Sequence, residues 1–118
     1  MTTGGDQTYT GAIVFNQIIQ NIGNCYNTST GIFTCPIDGI YAMSFGYYSN
    51  STAANSRPAI MVNGSMVAMT NGPYGHDLSI TRYCVAGDKI TAGAYGASYP
   101  VYLYAGGGHN HFSVTLVS

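Results

Sequence analysis

The sequence predicts an all-β domain, a sandwich or barrel of about eight to ten short strands. Three observations predict it. Helix signals are nearly absent, because there is no Glu, little Leu or Lys, and no long run of apolar residues at three-to-four spacing. Period-two alternation recurs along the chain. Clusters of Gly, Asn, Ser, Thr and Pro punctuate it about every ten residues.

The strand signals fall in order. Residues 12–15 and 31–35 are the first short apolar runs. In "GIYAMSFGYYS", Tyr41, Met43, Phe45 and Tyr47 alternate with Ala42, Ser44, Gly46 and Tyr48, the period-two pattern of a strand with one packed face. "PAIMVNGSMVAM" reads as two strands joined by Asn63-Gly64, a pair that accepts the positive φ angles of a tight hairpin. Residues 78–85, 89–95, 101–104 and 112–117 complete the series. The turns between runs are "NTSTG", "NSTAANS", "NGPYGHD", "AGD", "GAS" and "AGGG".

A chain of 118 residues suffices for one core, and no linker, repeat or low-complexity segment divides it, so residues 1–118 are expected to form a single domain with residues 1–11 as a lead-in. Three Lys or Arg and four Asp leave a net charge of −1, so no basic field exists to attract nucleic acid. Charged residues make up 6% of the chain against roughly 25% in ordinary soluble domains, and recognition must therefore rest on hydroxyls, amides and aromatic faces. No apolar run approaches the length of a membrane helix, and no membrane insertion is expected. The first dozen residues are too polar for a signal peptide, so an exported form would have lost it already. Cys25, Cys35 and Cys84 allow one intrachain disulfide at most, and three reduced, largely buried thiols are the expectation.

The order of motifs carries a resemblance. "VFNQIIQNIGNCYNTSTGIFTCPIDGIYAMSF" resembles the signature of the C1q domain, the globular head of the first complement component. Phe15, Asn16, Asn21, Gly23, Tyr26, Asn27, Thr30, Gly31, Phe33, Thr34, Cys35, Pro36, Gly39, Tyr41 and Phe45 carry the match. Asn63-Gly64, Gly87-Asp88 and "FSVTLV" from Phe112 fall where that family has its N-G hairpin, G-D turn and final strand. The resemblance implies a ten-stranded antiparallel jelly-roll sandwich, similar to tumour necrosis factor, that packs as a homotrimer. Within it, Asn27 to Gly31 supplies a turn, Phe33 and Cys35 face the core, Pro36 ends pairing, and Gly39 permits a second bend.

Departures from the family pattern are visible as well. "MTTGGDQTYTGA" leaves room for only a shortened or missing first strand, and no collagen-like Gly-x-y run precedes the matched stretch, so a stalk either lies outside this sequence or is lacking. Val114-Thr115 stands where Gly and an aromatic are common. Arg82, two before Cys84, falls at a position usually apolar and must find a partner or reach water. The residues after the N-G hairpin hold no carboxylate, so the calcium site of some relatives is not expected.

Candidate sites are few. With no Glu and with Asp6, Asp38, Asp77 and Asp88 on separate turns, catalysis has little to build on, and neither an enzyme activity nor a cofactor is expected. Tyr74, His76 and Asp77 in the "NGPYGHD" loop, with Tyr99 and Tyr102 in "AYGASYPVYLYAGG", are the candidate ligand contacts, since tyrosine joins a flat apolar ring to a hydroxyl. Asp77 also suits the start of a strand. His109 and His111 share a strand face while Phe112 takes the other, and in a trimer they are the candidate metal or anion ligands. Asn27, Asn50 and Asn63 each begin an N-x-S/T pattern, relevant only in a eukaryotic secretory pathway. The resemblance implies a secreted, trimeric recognition head for carbohydrate or protein ligands on cell or microbial surfaces. The alternative is the trimerising tip of a phage or viral fibre or a bacterial surface filament, and a receptor-binding cytokine is a third possibility.

Overall fold

The computed structural model describes residues 7–9, 13, 25–46, 58–69, 77–94, 101–103 and 111–117. Among them are ten strands: β1 (Gln7–Tyr9), β2 (Tyr26–Asn27), β3 (Ile32–Thr34), β4 (Gly39–Gly46), β5 (Pro58–Val62), β6 (Ser65–Met69), β7 (Asp77–Cys84), β8 (Lys89–Ala94), β9 (Val101–Leu103) and β10 (His111–Leu116). Every pairing is antiparallel, and no described residue is helical. One sheet has the order β10-β4-β7 and the other β2-β3-β8-β5-β6, while β1 pairs with β9. The two sheets form a jelly-roll sandwich, as the resemblance to the C1q domain implies.

The core lies between the sheets and follows from the period of two. Along β4, Tyr41, Met43 and Phe45 are buried, while Ile40, Ala42 and Ser44 point away. Phe112 and Val114 of β10, with Leu78, Ile80 and Cys84 of β7, add to the same inner face. From the opposing sheet come Tyr26, Cys35, Ile60, Val62, Ile90, Ala92 and Ala94, with Phe33 packed against them. Two aromatic pairs tie sheet to sheet: Tyr26 to Phe112 with centroids 6.2 Å apart, and Phe33 to Tyr41 at 6.3 Å, edge to face. Ile13 is fully buried and donates its amide to the Ala92 carbonyl at 2.7 Å.

The turns obey their residues. Asn63 (φ 52°) and Gly64 (φ 81°) both take the left-handed region that the β5–β6 hairpin requires. Pro58 stands at the first position of its strand, where a missing amide costs least. Asn27 caps its own turn, accepting from the Ser29 amide at 2.7 Å on its side chain and from the Gly31 amide at 2.9 Å on its carbonyl. Pro36 follows the end of β3 and is exposed. Gly39 differs from the expected bend: it opens β4 without a left-handed φ, buried opposite Cys84. Arg82 shares a face with Ile80 and Cys84 yet is exposed, so it reaches water at the rim of the core.

Candidate functional site

The side chains that β10, β4 and β7 turn away from the core form a continuous outer face. The registers place them in rows: His111–Gly46–Asp77, Ser113–Ser44–Ser79, Thr115–Ala42–Thr81, and Ile40–Tyr83 with Val117 bonded to the Ile40 carbonyl at 2.7 Å. Beyond Ile40, the middle strand offers small residues, Ala42, Ser44 and Gly46, so the face is level there. Its central rows are hydroxyls and a methyl, without charge. One end is apolar: Ile37, Ile40, Tyr83, Val85 and Val117 are all exposed, Val117 at 60% and Tyr83 at 59%. The opposite end carries the titratable pair, Asp77 and His111.

Those two side chains lean toward each other over Gly46. A methyl group on Gly46 would overlap Asp77 Oδ1 and His111 Cε1 and would sit 3.0 Å from His111 Nδ1, so only glycine admits this arrangement. The other ring nitrogen, Nε2, lies 3.4 Å from Ser44 Oγ. That distance is long for a hydroxyl to be activated as a nucleophile but ordinary for a weak orienting contact.

Past the apolar end, the turns bring the buried thiols together. Cys35 and Cys84, both 1% exposed, are hydrogen-bonded neighbours, and burial, then the Cys84 thiol, pushes Cys35 up to about 12. Burial likewise raises Cys84 and Tyr41. The Tyr41 hydroxyl donates to the Ile37 carbonyl at 2.7 Å. Asp88 is held below the ordinary carboxylate value by the Asn63 side-chain amide at 2.9 Å and then by the Val85 backbone amide at 3.0 Å. Asp38 anchors the same region, accepting from the Ala86 amide at 2.7 Å. Each of these groups holds a turn or fills the core.

The sequence profile of the C1q domain matches residues 2–81, more than half of the chain. The chain belongs to the C1q domain family. Its fold is also similar to the crystal structure of rabbit GITRL, with a TM-score of 0.58 at 12% identity over 75% of this chain and 72% of that one. A likeness at that identity concerns the fold, and it agrees with the joint C1q and tumour-necrosis-factor-like architecture. Domains of the C1q family are generally non-enzymatic, bind ligands and are of trimeric type.

Against this C1q frame, the expected site residues separate into groups. Asp77 begins β7, exposed, and His111 begins β10, half-buried; the structure brings them together. Tyr74, His76, Tyr99 and His109 lie outside the described residues, as do the signature residues Phe15 and Asn16. Tyr102 lies on β9, paired with Thr8. Gly87 (φ 93°) and Asp88 form the turn into β8. The proximity of Asp77 to His111 has no local signal in the sequence, because it depends on two long-range registers meeting at Gly46. Among the described residues, no helix is long and apolar enough to cross a membrane.

Proposed function

We propose that this C1q domain is a non-catalytic, homotrimeric recognition head that binds carbohydrate or protein ligands on cell or microbial surfaces, outside the cell. One observation carries the reading: the outer face of the β10-β4-β7 sheet, whose central rows hold no charge and whose apolar end is formed by Ile40, Tyr83 and Val117. Large obligate interfaces resemble a core cut in two, and central depletion of charge with aromatic and aliphatic anchors is their compositional mark. Three copies joined on this face present three identical ligand sites, which strengthens weak contacts through multivalency. Tyr74, His76, Asp77, Tyr99 and Tyr102 are the proposed ligand contacts.

Sedimentation tests the assembly: three times the 12.4 kDa chain mass is expected at micromolar concentration, and a 12.4 kDa monomer overturns the reading. A glycan array probed with the labelled trimer tests the ligand. Selective binding to one sugar class, lost on Tyr74→Ala or Tyr99→Ala, is the expected result. A trimer with a blank array and no captured protein ligand favours the second reading, a trimerising tip of a phage or viral fibre or a bacterial surface filament. The charge-poor composition is what supports that alternative.

A further inference from the structure

We propose that Cys35 and Cys84 are the two halves of a latent disulfide, formed by exchange with a small-molecule disulfide, that staples one sheet of the sandwich to the other. The structure holds its reduced form. Both side chains belong to the same core cluster, each 1% exposed, and their thiols are hydrogen-bonded neighbours. Sulfurs that already face one another meet the first geometric need of a bridge.

The two cysteines are far apart in sequence and come from different sheets. Cys35 directly follows β3 of the five-stranded sheet, and Cys84 is the last residue of β7 in the three-stranded one. The main chain holds both positions. Cys35 donates its amide to the Asp88 carbonyl at 2.9 Å and accepts from the Gly87 amide at 2.8 Å, which pins it to the turn that opens at Val85, next to Cys84. Cys84 in turn is paired with Gly39 of β4. A bridge here closes a loop that contains β4, β5, β6 and β7, and such a constraint acts chiefly on the unfolded chain. The third thiol is placed differently. Cys25 continues the β2–β3 ladder opposite Thr34, accepting its amide at 2.8 Å, one position out of phase with Cys35. Adjacent strand positions face opposite sides, and Thr34 is exposed where Cys35 is buried.

In the exchange, one cysteine thiolate attacks the small disulfide, which forms a mixed disulfide and releases one small thiol. The second cysteine thiolate attacks the protein sulfur of the mixed disulfide and releases the other. The two cysteines give up two protons and two electrons, and the small disulfide takes them up as two thiols. Burial raises both cysteines above the ordinary thiol value and shields them, so the closed domain resists the reaction. Exchange therefore proceeds during folding or when the exposed turn of Val85, Ala86 and Gly87 opens.

The test equilibrates the fully reduced 118-residue chain, at one fixed concentration, with graded ratios of reduced and oxidised glutathione, in buffer and in concentrated urea. Alkylation and peptide mapping by mass spectrometry then read the linkage. The expected product is a Cys35–Cys84 linked peptide with Cys25 alkylated, and the same bridge in Cys25→Ser. Opening it is expected to need about a hundredfold more reducing conditions in buffer than in urea, the ratio that a native disulfide's usual stabilisation represents. The oxidised chain is also expected to unfold at a higher urea concentration than the reduced chain, a difference absent from Cys84→Ala. If Cys84→Ala does not fold, the ratio series on the wild type and Cys25→Ser decides alone. Thiols that stay reduced across the series in buffer overturn the proposal, as does a bridge made to Cys25 or one that opens as readily in buffer as in urea. None of these readouts depends on the trimer or on a ligand, so a monomeric chain that forms the bridge sustains this inference while removing the trimer.

Discussion

Asn63 and Asp88 lock two turns to one another. The Asn63 side chain donates from Nδ2 to Asp88 Oδ1 at 2.9 Å and accepts on Oδ1 from the Lys89 amide at 2.9 Å, while its backbone amide donates to the Lys89 carbonyl at 2.8 Å. The N-G hairpin and the G-D turn, apart in sequence, thereby become one rigid end of the sandwich. Asn63 performs two tasks: it tolerates a left-handed φ of 52° and it supplies the bridge.

Substitutions separate those tasks. Asn63→Gly keeps the backbone conformation and loses the bridge, whereas Asn63→Ala loses both. The alanine variant is expected to be less stable than the glycine variant by about 1 kcal/mol, the usual cost of forcing an ordinary residue into the left-handed region. Urea unfolding at one fixed chain concentration gives the order wild type, glycine, alanine. Equal stability of the two variants would show that the φ angle contributes nothing.

The same bridge sets an acid limit. Asp88 is held below its ordinary value of 3.8 because the Asn63 amide and the Val85 amide hydrogen-bond its ionised form. A carboxyl whose value is depressed in the folded state stabilises that state fully above the unfolded value and loses the contribution as pH falls through the folded value. Stability is therefore expected to fall more steeply below pH 3.8 in the wild type than in Asp88→Asn, which has no carboxyl to protonate. Unfolding curves taken from neutral pH downward, with parallel slopes for both proteins, would remove Asp88 from the account.

Local chemistry explains what the sequence reveals of this fold. Tyr41, Met43 and Phe45 declare the inner face of β4 through side-chain alternation alone, and Asn63-Gly64 declares its hairpin through backbone preference. Tyr26–Asn27, by contrast, is a strand of two residues, too short to carry a period, and it exists because Phe33 lies opposite Tyr26. Gln7–Tyr9 is likewise three polar or aromatic residues whose pairing with β9 has no local signal. Asp77 and His111 belong to the same class. Each is legible as a polar strand end, but their meeting depends on the registers of β7 and β10 against β4, which only the packed core selects. Arg82 was legible as a misfit, and its place at the rim is the resolution.

Thiol reactivity offers a third check. Thiolates, not thiols, react with alkylating agents, and burial pushes Cys35 up to about 12 and raises Cys84. In a Cys25→Ser background, iodoacetamide at neutral pH is expected to leave both remaining cysteines unmodified in the native protein and to label both in denaturant. Mass spectrometry counts the adducts. Native labelling at the denatured rate would place the pair outside the core.

Tyr41→Phe tests the start of β4. The buried hydroxyl donates to the Ile37 carbonyl at 2.7 Å and accepts from the Ile37 amide at 3.4 Å, which fixes the chain entering the strand. The phenyl ring preserves the edge contact with Phe33. A loss of about 1 kcal/mol is expected, since Ile37 is exposed and water can replace part of the bonding. Chemical denaturation with an unchanged slope measures it.

Thr81→Arg addresses the assembly directly. Thr81 is exposed, lies opposite Ala42, and occupies the third row of the outer face, so an arginine there reaches solvent freely in a single chain. In a trimer joined on that face, three guanidinium groups would lose water beside residues that offer hydroxyls and methyls but no counter-charge, a penalty of several kcal/mol per ion. The variant is expected to sediment as a folded 12.4 kDa monomer with the circular dichroism of the wild type, where the wild type sediments as a trimer. A second substitution, Lys89→Glu, changes an exposed charge on the other sheet and is expected to leave the trimer intact. If Thr81→Arg remains trimeric, the contact lies elsewhere and the level face of β10, β4 and β7 is free to meet a ligand.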